Sequence, residues 1–299
     1  MWVAWGEAPD LGSGVDERVS QLIDLALVED IGPGDVTSEF FVPGDRMARA
    51  FLVAKENGVV AGVEVGAEVF RRVDEDIQVN VMLQDGASIA PGAYVLEASG
   101  KARSLLTAER TVINFVQRLS GVATKTAAFV EAVRGTGATI IDTRKTTPGW
   151  RFLEKAAVVA GGGQRHRMGL YDRAMVKDNH LVVEGGVAAL QKAAARLKEV
   201  HPEVEVEVEA DTLEQVEAFL QVGEFDYLLL DNMENEAMKR AVEMRGARER
   251  PLLEASGGVR LDTVRGIAET GVEFISVGAL THSATALDLS LEFVEFGKG

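Results

Sequence analysis

Hydrophobic and polar positions follow one pattern in the first part of the chain. Apolar residues recur at helical spacing over 16–29, 63–73 and 107–119. The IGPGD segment that follows the first of these stretches supplies the glycines and the proline that end a helix. Shorter apolar runs typical of strands lie around 48–54, 77–83 and 93–98. This part of the chain is therefore predicted to be a mixed α/β unit.

After about residue 136 the pattern becomes rhythmic. Short apolar runs begin near Ala138, Arg173, Val204, Asp226, Leu252 and Glu273. Most are separated by helical stretches, which cover 187–200, 213–222, 236–245 and 261–270. This alternation predicts βα units on a parallel sheet. Asp211 followed by Glu214 resembles a capping box at the start of one helix. The change of pattern predicts two domains, 1–120 and 121–299, with C-terminal residues able to pack back on the first.

The residues that follow the predicted strands are chemically distinctive. In parallel α/β folds, ligands bind where the strands end, because the following loops gather on that face. The six ends carry 142–145, 177–180, Glu209, Asp231 with Asn232, 256–258, and Gly278 with His282. A single polar strand end would mean little. Six with complementary chemistry favour a functional face.

Two of these ends are rich in glycine. Ser256, Gly257 and Gly258 follow one strand and Gly278 follows the next, in the last two βα loops, where such barrels commonly bind phosphate. Glycine lets the backbone N–H groups approach phosphate oxygens closely. The alternative is that both segments are only tight turns. Neither a Walker motif nor a G-x-G-x-x-G fingerprint occurs, which disfavours ATP and NAD as ligands.

Carboxylates at two further ends suggest a metal. Glu205, Glu207 and Glu209 alternate along one strand and so share a face, and Asp231 should arrive beside Glu209 from the next strand. Mg²⁺ is usually held by one or two carboxylates, water and substrate phosphates. Four scattered histidines without an HExxH motif disfavour zinc. The alternative for the glutamate face is a solvated strand edge.

Net charge narrows the class of ligand. The 299 residues include 31 Lys and Arg against 47 Asp and Glu, a formal charge of -16, which argues against generic binding to nucleic acid or anionic membranes. The absence of cysteine excludes disulfides, a thiolate nucleophile and Cys-ligated metals, and fits the cytoplasm. No signal peptide or membrane span is visible in the sequence. Small-molecule ligands are expected.

Residues 140–180 differ from the acidic remainder. They contain eight basic and four acidic residues, a formal +4. Arg144 and Arg167 offer planar forks for carboxylates, whereas Lys145 and Lys177 act as point charges. The flanking arginines would disfavour an imidazolium at His166 if they lie close to it, although the ring can donate a hydrogen bond in either state. The alternative to an anion site is an ordinary solvated stretch.

Several strings, in order, resemble one family. They are EDIGPGDVTS, AERTVINFVQRLSGVAT, DTRKTTPGWR, GGGQRHRMGLYD to MVKDNH, VEVEAD, LLDNM, EASGGV and SVGALTHS. Together they are similar to the quinolinate phosphoribosyltransferases, from about Val15 to Leu289. Arg165 stands where the family commonly has asparagine, a change not expected to abolish activity. The resemblance implies an N-terminal α/β sandwich followed by an incomplete, irregular α/β barrel of the second phosphoribosyltransferase type.

The resemblance also implies a reaction. Phosphoribosyl passes from phosphoribosyl pyrophosphate to quinolinate with Mg²⁺ and with decarboxylation, giving nicotinate mononucleotide, pyrophosphate and CO₂ in NAD biosynthesis. The implied assembly is a homodimer with shared active sites, and larger oligomers are left open. Two alternatives remain, a relative associated with molybdenum transport that releases no CO₂ and a non-catalytic phosphate-binding barrel.

Residue roles carry over at matching positions. Quinolinate would be bound by Thr143, Arg144, His166, Arg167 and Lys177, with Arg110 entering from the neighbouring subunit. Lys145 would lie between the two substrates. Glu209 and Asp231 would bind Mg²⁺ and the ribose hydroxyls, and with Lys145 they form the implied catalytic set. The phosphates would be bound by Ser256, Gly257, Gly258, Gly278 and His282.

Overall fold

The computed structural model describes residues 16–177 and 186–295. The chain forms two compact units that exchange segments along the sequence. The first unit contains residues 16–127, 147–162 and 284–295. The second unit contains 128–146, 163–177 and 186–283. The chain therefore returns to the first unit at Thr147 and again at Ala284.

The first unit combines an antiparallel sheet with helices. Its helices are α1 (Glu17–Ile31), α2 (Val36–Phe41), α3 (Val63–Val73), most of α4 (Ala102–Ala132) and α5 (Arg151–Ala160). Its strands are β1 (Met47–Ala54), β2 (Gly58–Val59), β3 (Gln78–Val81), β4 (Ser88–Ile89), β5 (Tyr94–Lys101) and β12 (Leu289–Glu295). Four strands pair in the order β12-β1-β5-β3, and β2 pairs with β4. The C-terminal strand thus completes the N-terminal sheet.

Local sequence explains these elements. The Asp16 carboxylate accepts a hydrogen bond from the Arg18 backbone N–H at the start of α1, and Asp35 accepts one from the Ser38 N–H in α2. The predicted helix over 63–73 matches α3, which packs its buried face near β3 and β5. The helix predicted over 107–119 is the middle of the longer α4.

The second unit is a parallel sheet with helices. Its strands are β6 (Thr139–Ile141), β7 (Arg173–Val176), β8 (Glu205–Ala210), β9 (Tyr227–Asp231), β10 (Leu252–Ser256) and β11 (Phe274–Ser276). They pair in the order β6-β11-β10-β9-β8-β7. Its helices are α6 (Val187–Val200), α7 (Leu213–Phe219), α8 (Asn235–Arg245), α9 (Val264–Ala268) and α10 (Ala279–His282). In the two described ranges, no strand pairing joins β6 to β7, as expected for an incomplete barrel.

The predicted fold class is confirmed, and one local prediction is wrong. All six predicted strands of the second unit form, and helices cover parts of all four predicted helical stretches. The capping box at α7 belongs to Thr212 and Gln215, one residue later than the predicted Asp211 and Glu214. The Thr212 hydroxyl accepts from the Gln215 N–H, and the Gln215 side chain accepts from the Thr212 N–H. Among the described residues, no helix is both long and apolar enough to cross a bilayer.

Candidate active site

The carboxyl ends of β8 and β9 bring three carboxylates together. Ala210 pairs with Leu230, so the residues that follow them, Asp211 and Asp231, arrive side by side. Ligand oxygens of Glu209, Asp211 and Asp231 all lie within 4.8 Å of one another. Glu209 is buried, Asp231 is half-buried and Asp211 is exposed. Glu209 and Asp231 were predicted to lie here, whereas Asp211 was predicted only as a helix cap.

Lys177 lies beside this acidic cluster. Its Nζ is 2.6 Å from Glu209 Oε2. The resemblance assigned Lys177 to quinolinate and Glu209 to Mg²⁺ and ribose, so the structure brings residues of the two predicted subsites into contact. The remaining residues of the predicted 177–180 strand end, Asp178 to His180, lie outside the described residues.

A strained turn follows β10. The Asn232 backbone N–H donates to the Ser256 carbonyl at 2.9 Å, and Asn232 itself has a left-handed φ of 52°. A side chain at Gly257 would place its Cβ 2.2 Å from Asn232 Oδ1. Gly257 and Gly258 also have φ values of +97° and +58°, which favour glycine. The turn therefore requires glycine at 257 and favours it at 258, and the role of both in phosphate binding stays a prediction.

Lys145 is positioned by the loop after β6 and by the segment after β11. Its backbone N–H donates to the Thr143 hydroxyl at 3.0 Å, and its carbonyl accepts from the Thr281 hydroxyl at 2.8 Å. A Cβ on Gly278 would lie 3.0 Å from Lys145 Cδ and 3.3 Å from His282 Cδ2. The Lys145 stem and the His282 ring thus lie over Gly278. The structure brings these three predicted residues together.

Arg144 and Arg167 form a second cationic group. Burial of the Arg167 guanidinium lowers its pKa, and the positive charge of nearby Arg144 lowers it further. The Arg167 guanidinium donates to the Arg173 carbonyl at 3.1 Å and to Met175 Sδ at 3.5 Å. Two like charges held close together favour an anionic ligand that relieves their repulsion.

His166 is buried between two carboxylates. Its Nε2 lies 3.1 Å from Glu207 Oε2 and 3.4 Å from Glu254 Oε2. Burial opposes a charged ring, but the two glutamates outweigh it and raise the pKa of His166 to about 9. The neighbouring arginines were expected to disfavour the imidazolium if they lay close to the ring, but the carboxylates of Glu207 and Glu254 determine the direction of the pKa shift.

Backbone contacts fix the orientation of the His166 ring. The Arg167 N–H donates to Nδ1 at 2.6 Å, so Nε2 carries the proton in the neutral ring and faces the glutamates. The His166 N–H donates to Asp142 Oδ1 at 2.9 Å, which ties this segment to the end of β6. A second proton on Nδ1 would displace the Arg167 N–H. Protonation of His166 at Nδ1 therefore requires the backbone N–H of Arg167 to move away from the ring.

The contacts of His166 with Glu207 and Glu254 were not predicted from the sequence. Burial alone would raise the pKa of Glu207, but His166 and Arg173 lower it, whereas burial and the Glu207 charge raise that of Glu254. Removing one partner of a buried ion pair typically costs about 3–5 kcal/mol of folding free energy.

The alternative that the glutamates of β8 form a solvated strand edge is wrong for Glu207, which is fully buried. Glu205 is half-buried and pairs with Arg173 at 2.8 Å. A glutamate inside the apolar run LLEA was the available signal for Glu254.

Arg110 belongs to the first unit. It lies on α4 and is exposed, four residues after the exposed Leu106 on the same helix face. Its predicted role depends on a second subunit.

An incomplete parallel α/β barrel with glycine turns and a carboxylate cluster at its strand ends is an architecture typical of enzymes that handle phosphorylated substrates. Comparison with known proteins defines the class more closely, as a phosphoribosyltransferase. Two family models match, the N-terminal domain of quinolinate phosphoribosyl transferase over residues 35–120 and its C-terminal domain over 122–292. The chain therefore belongs to the quinolinate phosphoribosyltransferase family, and the resemblance found in the sequence is confirmed.

Individual relatives agree with this assignment. The chloroplastic nicotinate-nucleotide pyrophosphorylase [carboxylating] of Arabidopsis thaliana is 43% identical over 287 residues, covering 91% of this chain and 81% of the relative. The nicotinate-nucleotide pyrophosphorylase [carboxylating] of Mycobacterium leprae (strain TN) is 44% identical over 274 residues, covering 90% and 95%. The solved nicotinate-nucleotide pyrophosphorylase of Francisella tularensis superposes with a TM-score of 0.85 at 36% identity, covering 93% and 96%.

Proposed function

We propose that this enzyme transfers phosphoribosyl from phosphoribosyl pyrophosphate to quinolinate with decarboxylation, in a reaction that requires Mg²⁺. The observation that carries the proposal is the position of Lys145. The Lys145 stem lies over Gly278 beside His282. The same loop carries Arg144, whose positive charge lowers the pKa of Arg167. A cation at this point can meet a pyrophosphate on one side and a dicarboxylate on the other. The names of the relatives support the same reaction.

The chemistry needs no nucleophile from the protein. The pyridine nitrogen of quinolinate attacks the anomeric carbon while the bond to pyrophosphate breaks, and the leaving oxygen takes the electron pair. Lys145 would stabilise the charge that develops on pyrophosphate, an electrostatic contribution that is commonly the largest in catalysis. The nitrogen is now quaternary, so the ring accepts the electron pair of the adjacent carbon–carboxylate bond as CO₂ leaves. A proton from solvent then replaces the carboxylate.

The acidic cluster fits Mg²⁺. Glu209, Asp211 and Asp231 offer only carboxylate oxygens, the hard ligands that this ion prefers, with convergent ligand atoms. When bound, Mg²⁺ would supply positive charge to the diphosphate and orient the ribose hydroxyls. Lys177 partly neutralises Glu209 in the structure described here. We infer that Glu209 and Asp231 hold the ion, partly through water, and that Asp211 contributes a third carboxylate.

A product assay tests the proposed reaction. Incubation of the enzyme with Mg²⁺, phosphoribosyl pyrophosphate and quinolinate labelled in its 2-carboxylate should yield nicotinate mononucleotide, pyrophosphate and labelled CO₂ in equal amounts. Mass spectrometry and CO₂ trapping measure all three products. Transfer without CO₂ would favour the relative associated with molybdenum transport, and an absence of turnover would favour the non-catalytic barrel. Either result would refute the proposal.

An exposed apolar surface supports a homodimer. We define it by the exposed large apolar residues of α1, α2 and the start of α4, which are Leu25, Val28, Val36, Phe40, Phe41 and Leu106. The starts of α2 and α4 meet here, because the Thr107 hydroxyl donates to Asp35 Oδ2 at 2.9 Å. Grouped exposed apolar side chains commonly mark a protein–protein interface. We propose that a second copy of the chain covers this surface and receives Arg110 in its active site. The cytoplasmic location stays a prediction from the sequence.

Mixing two inactive variants tests the shared site. Arg110→Ala and Lys145→Ala should each abolish turnover as homodimers. A mixed dimer restores one site, because the Lys145 of one chain then meets the Arg110 of the other. After equal mixing under subunit exchange, random pairing should restore about one quarter of wild-type activity. If the mixture is no more active than its parents while exchange of labelled subunits is complete, Arg110 does not act across the interface.

A further inference from the structure

A short stretch of α4, Gln117 to Gly121, supports the chain as it leaves α10. The Arg118 Nη1 group donates to the Ala284 carbonyl at 2.8 Å, and the Leu287 backbone N–H donates to the Gln117 carbonyl at 2.9 Å. At Gly121, a Cβ would lie only 2.0 Å from the Thr285 carbonyl oxygen. The segment 284–287 therefore lies directly on the helix, which explains the glycine of the QRLSG string.

The same arginine also holds a second segment through Glu154. Arg118 Nη2 donates to Glu154 Oε1 at 2.7 Å, and the Glu154 side chain is 0% exposed. Glu154 accepts two further hydrogen bonds, from the Thr147 backbone N–H at 3.0 Å and from the Thr147 hydroxyl at 2.9 Å. One guanidinium thus connects the segment at Thr147 with the segment at Ala284.

Both segments are continuations of loops that carry predicted substrate-binding residues. Thr147 comes two residues after Lys145, and Ala284 comes two residues after His282. They are also the residues at which the chain returns to the first unit. Lys145 and His282 both lie over Gly278, so their relative position depends on where the two loops are fixed. Displacement of a catalytic group by about 1 Å can reduce rates about 100-fold.

We propose that Arg118, with Glu154, is a positioning residue that fixes the loops of Lys145 and His282 relative to each other. The proposal rests on the proposed function for the meaning of those loops. A planar guanidinium can donate to a carboxylate and a carbonyl at once in fixed directions, whereas an ammonium cannot reproduce this fork. Because Glu154 is buried, the low local dielectric strengthens its one hydrogen bond from Arg118 and its two from Thr147.

Three variants separate positioning from simple stability. Arg118→Lys keeps the charge and removes the fork, while Thr147→Val removes one hydrogen bond to the first loop only. Glu97→Gln is the matched control, because Glu97 forms an ion pair with Arg49 at 3.0 Å elsewhere in the first unit. Measurements are kcat, KM for each substrate, the affinity for inorganic pyrophosphate, the melting temperature and amide hydrogen exchange over 143–147 and 281–287.

We expect Arg118→Lys to lower kcat about 10- to 100-fold and to weaken pyrophosphate binding, with a folded protein at assay temperature. In Arg118→Lys, amide hydrogen exchange should accelerate in both segments. In Thr147→Val it should accelerate over 143–147 alone, and in Glu97→Gln it should change in neither segment. Unchanged kcat and pyrophosphate affinity in Arg118→Lys, or losses without faster exchange in both segments, would overturn the proposal. A wild-type enzyme without turnover would refute the proposed function instead, and pyrophosphate affinity with the exchange pattern would still decide the role of Arg118.

Discussion

Replacing Lys145 by alanine should nearly abolish formation of nicotinate mononucleotide while the protein stays folded. Lys145 is exposed, so its removal leaves no cavity in the core. What is lost is the positive charge facing the leaving pyrophosphate. Removing one preorganised electrostatic group typically lowers kcat about 10²- to 10³-fold. Product formation is measured by mass spectrometry, and folding by circular dichroism and the melting temperature.

Lys239→Ala is the matched control for this variant. Lys239 is also an exposed lysine of the second unit, paired with Glu236 on α8 at 2.8 Å. Its replacement should leave kcat unchanged, because surface ion pairs of this kind contribute little. Wild-type turnover in Lys145→Ala would show that Lys145 has no catalytic role, even if the reaction itself is confirmed.

Replacing Asp231 by asparagine should raise the Mg²⁺ concentration needed for activity and lower the maximal rate. Asparagine keeps the shape of the side chain but removes a negative charge from the acidic cluster. Loss of one carboxylate ligand is expected to weaken binding of the ion at least about tenfold, as ligand charge sets the affinity of such sites. Rates are measured across a Mg²⁺ titration, and metal binding is measured independently by Mn²⁺ paramagnetic resonance.

Two further variants define the cluster. Glu209→Gln should behave like Asp231→Asn, whereas Asp262→Asn should not, because Asp262 is exposed, pairs with Arg260 and is not one of the three clustered carboxylates. Asp211→Asn should change the Mg²⁺ dependence least of the three cluster variants, because Asp211 is exposed. An Asp231→Asn enzyme with wild-type Mg²⁺ dependence and Mn²⁺ affinity would exclude Asp231 as a ligand.

The sequence was sufficient to predict which residues follow the strands. Parallel strands have one edge for all their carboxyl ends, so finding the apolar runs also located Lys145, Glu209, Asp231 and Gly278. This inference needs only the order of elements along the chain. The fold class was predictable for the same reason, since alternating strands and helices allow few arrangements.

The sequence was not sufficient to predict what surrounds His166. Its ring faces Glu207 and Glu254 from strands that are not neighbours in the sheet, because β9 lies between β8 and β10. Adjacent arginines in the sequence suggested repulsion, but charges brought close by folding outweigh those close in sequence. The same holds for Arg118, whose contacts with Glu154 and Ala284 join residues far apart along the chain.

The strand order of the first unit has a consequence for synthesis of the protein. Strand β1 pairs on one side with β12, which is made after all the other described strands. While the chain is still on the ribosome, the whole second unit is translated before that partner exists. During this time one edge of β1 lacks its native neighbour and can pair with other strands. A nascent chain stalled before residue 289 would therefore carry an aggregation-prone edge that β12 covers in the folded enzyme.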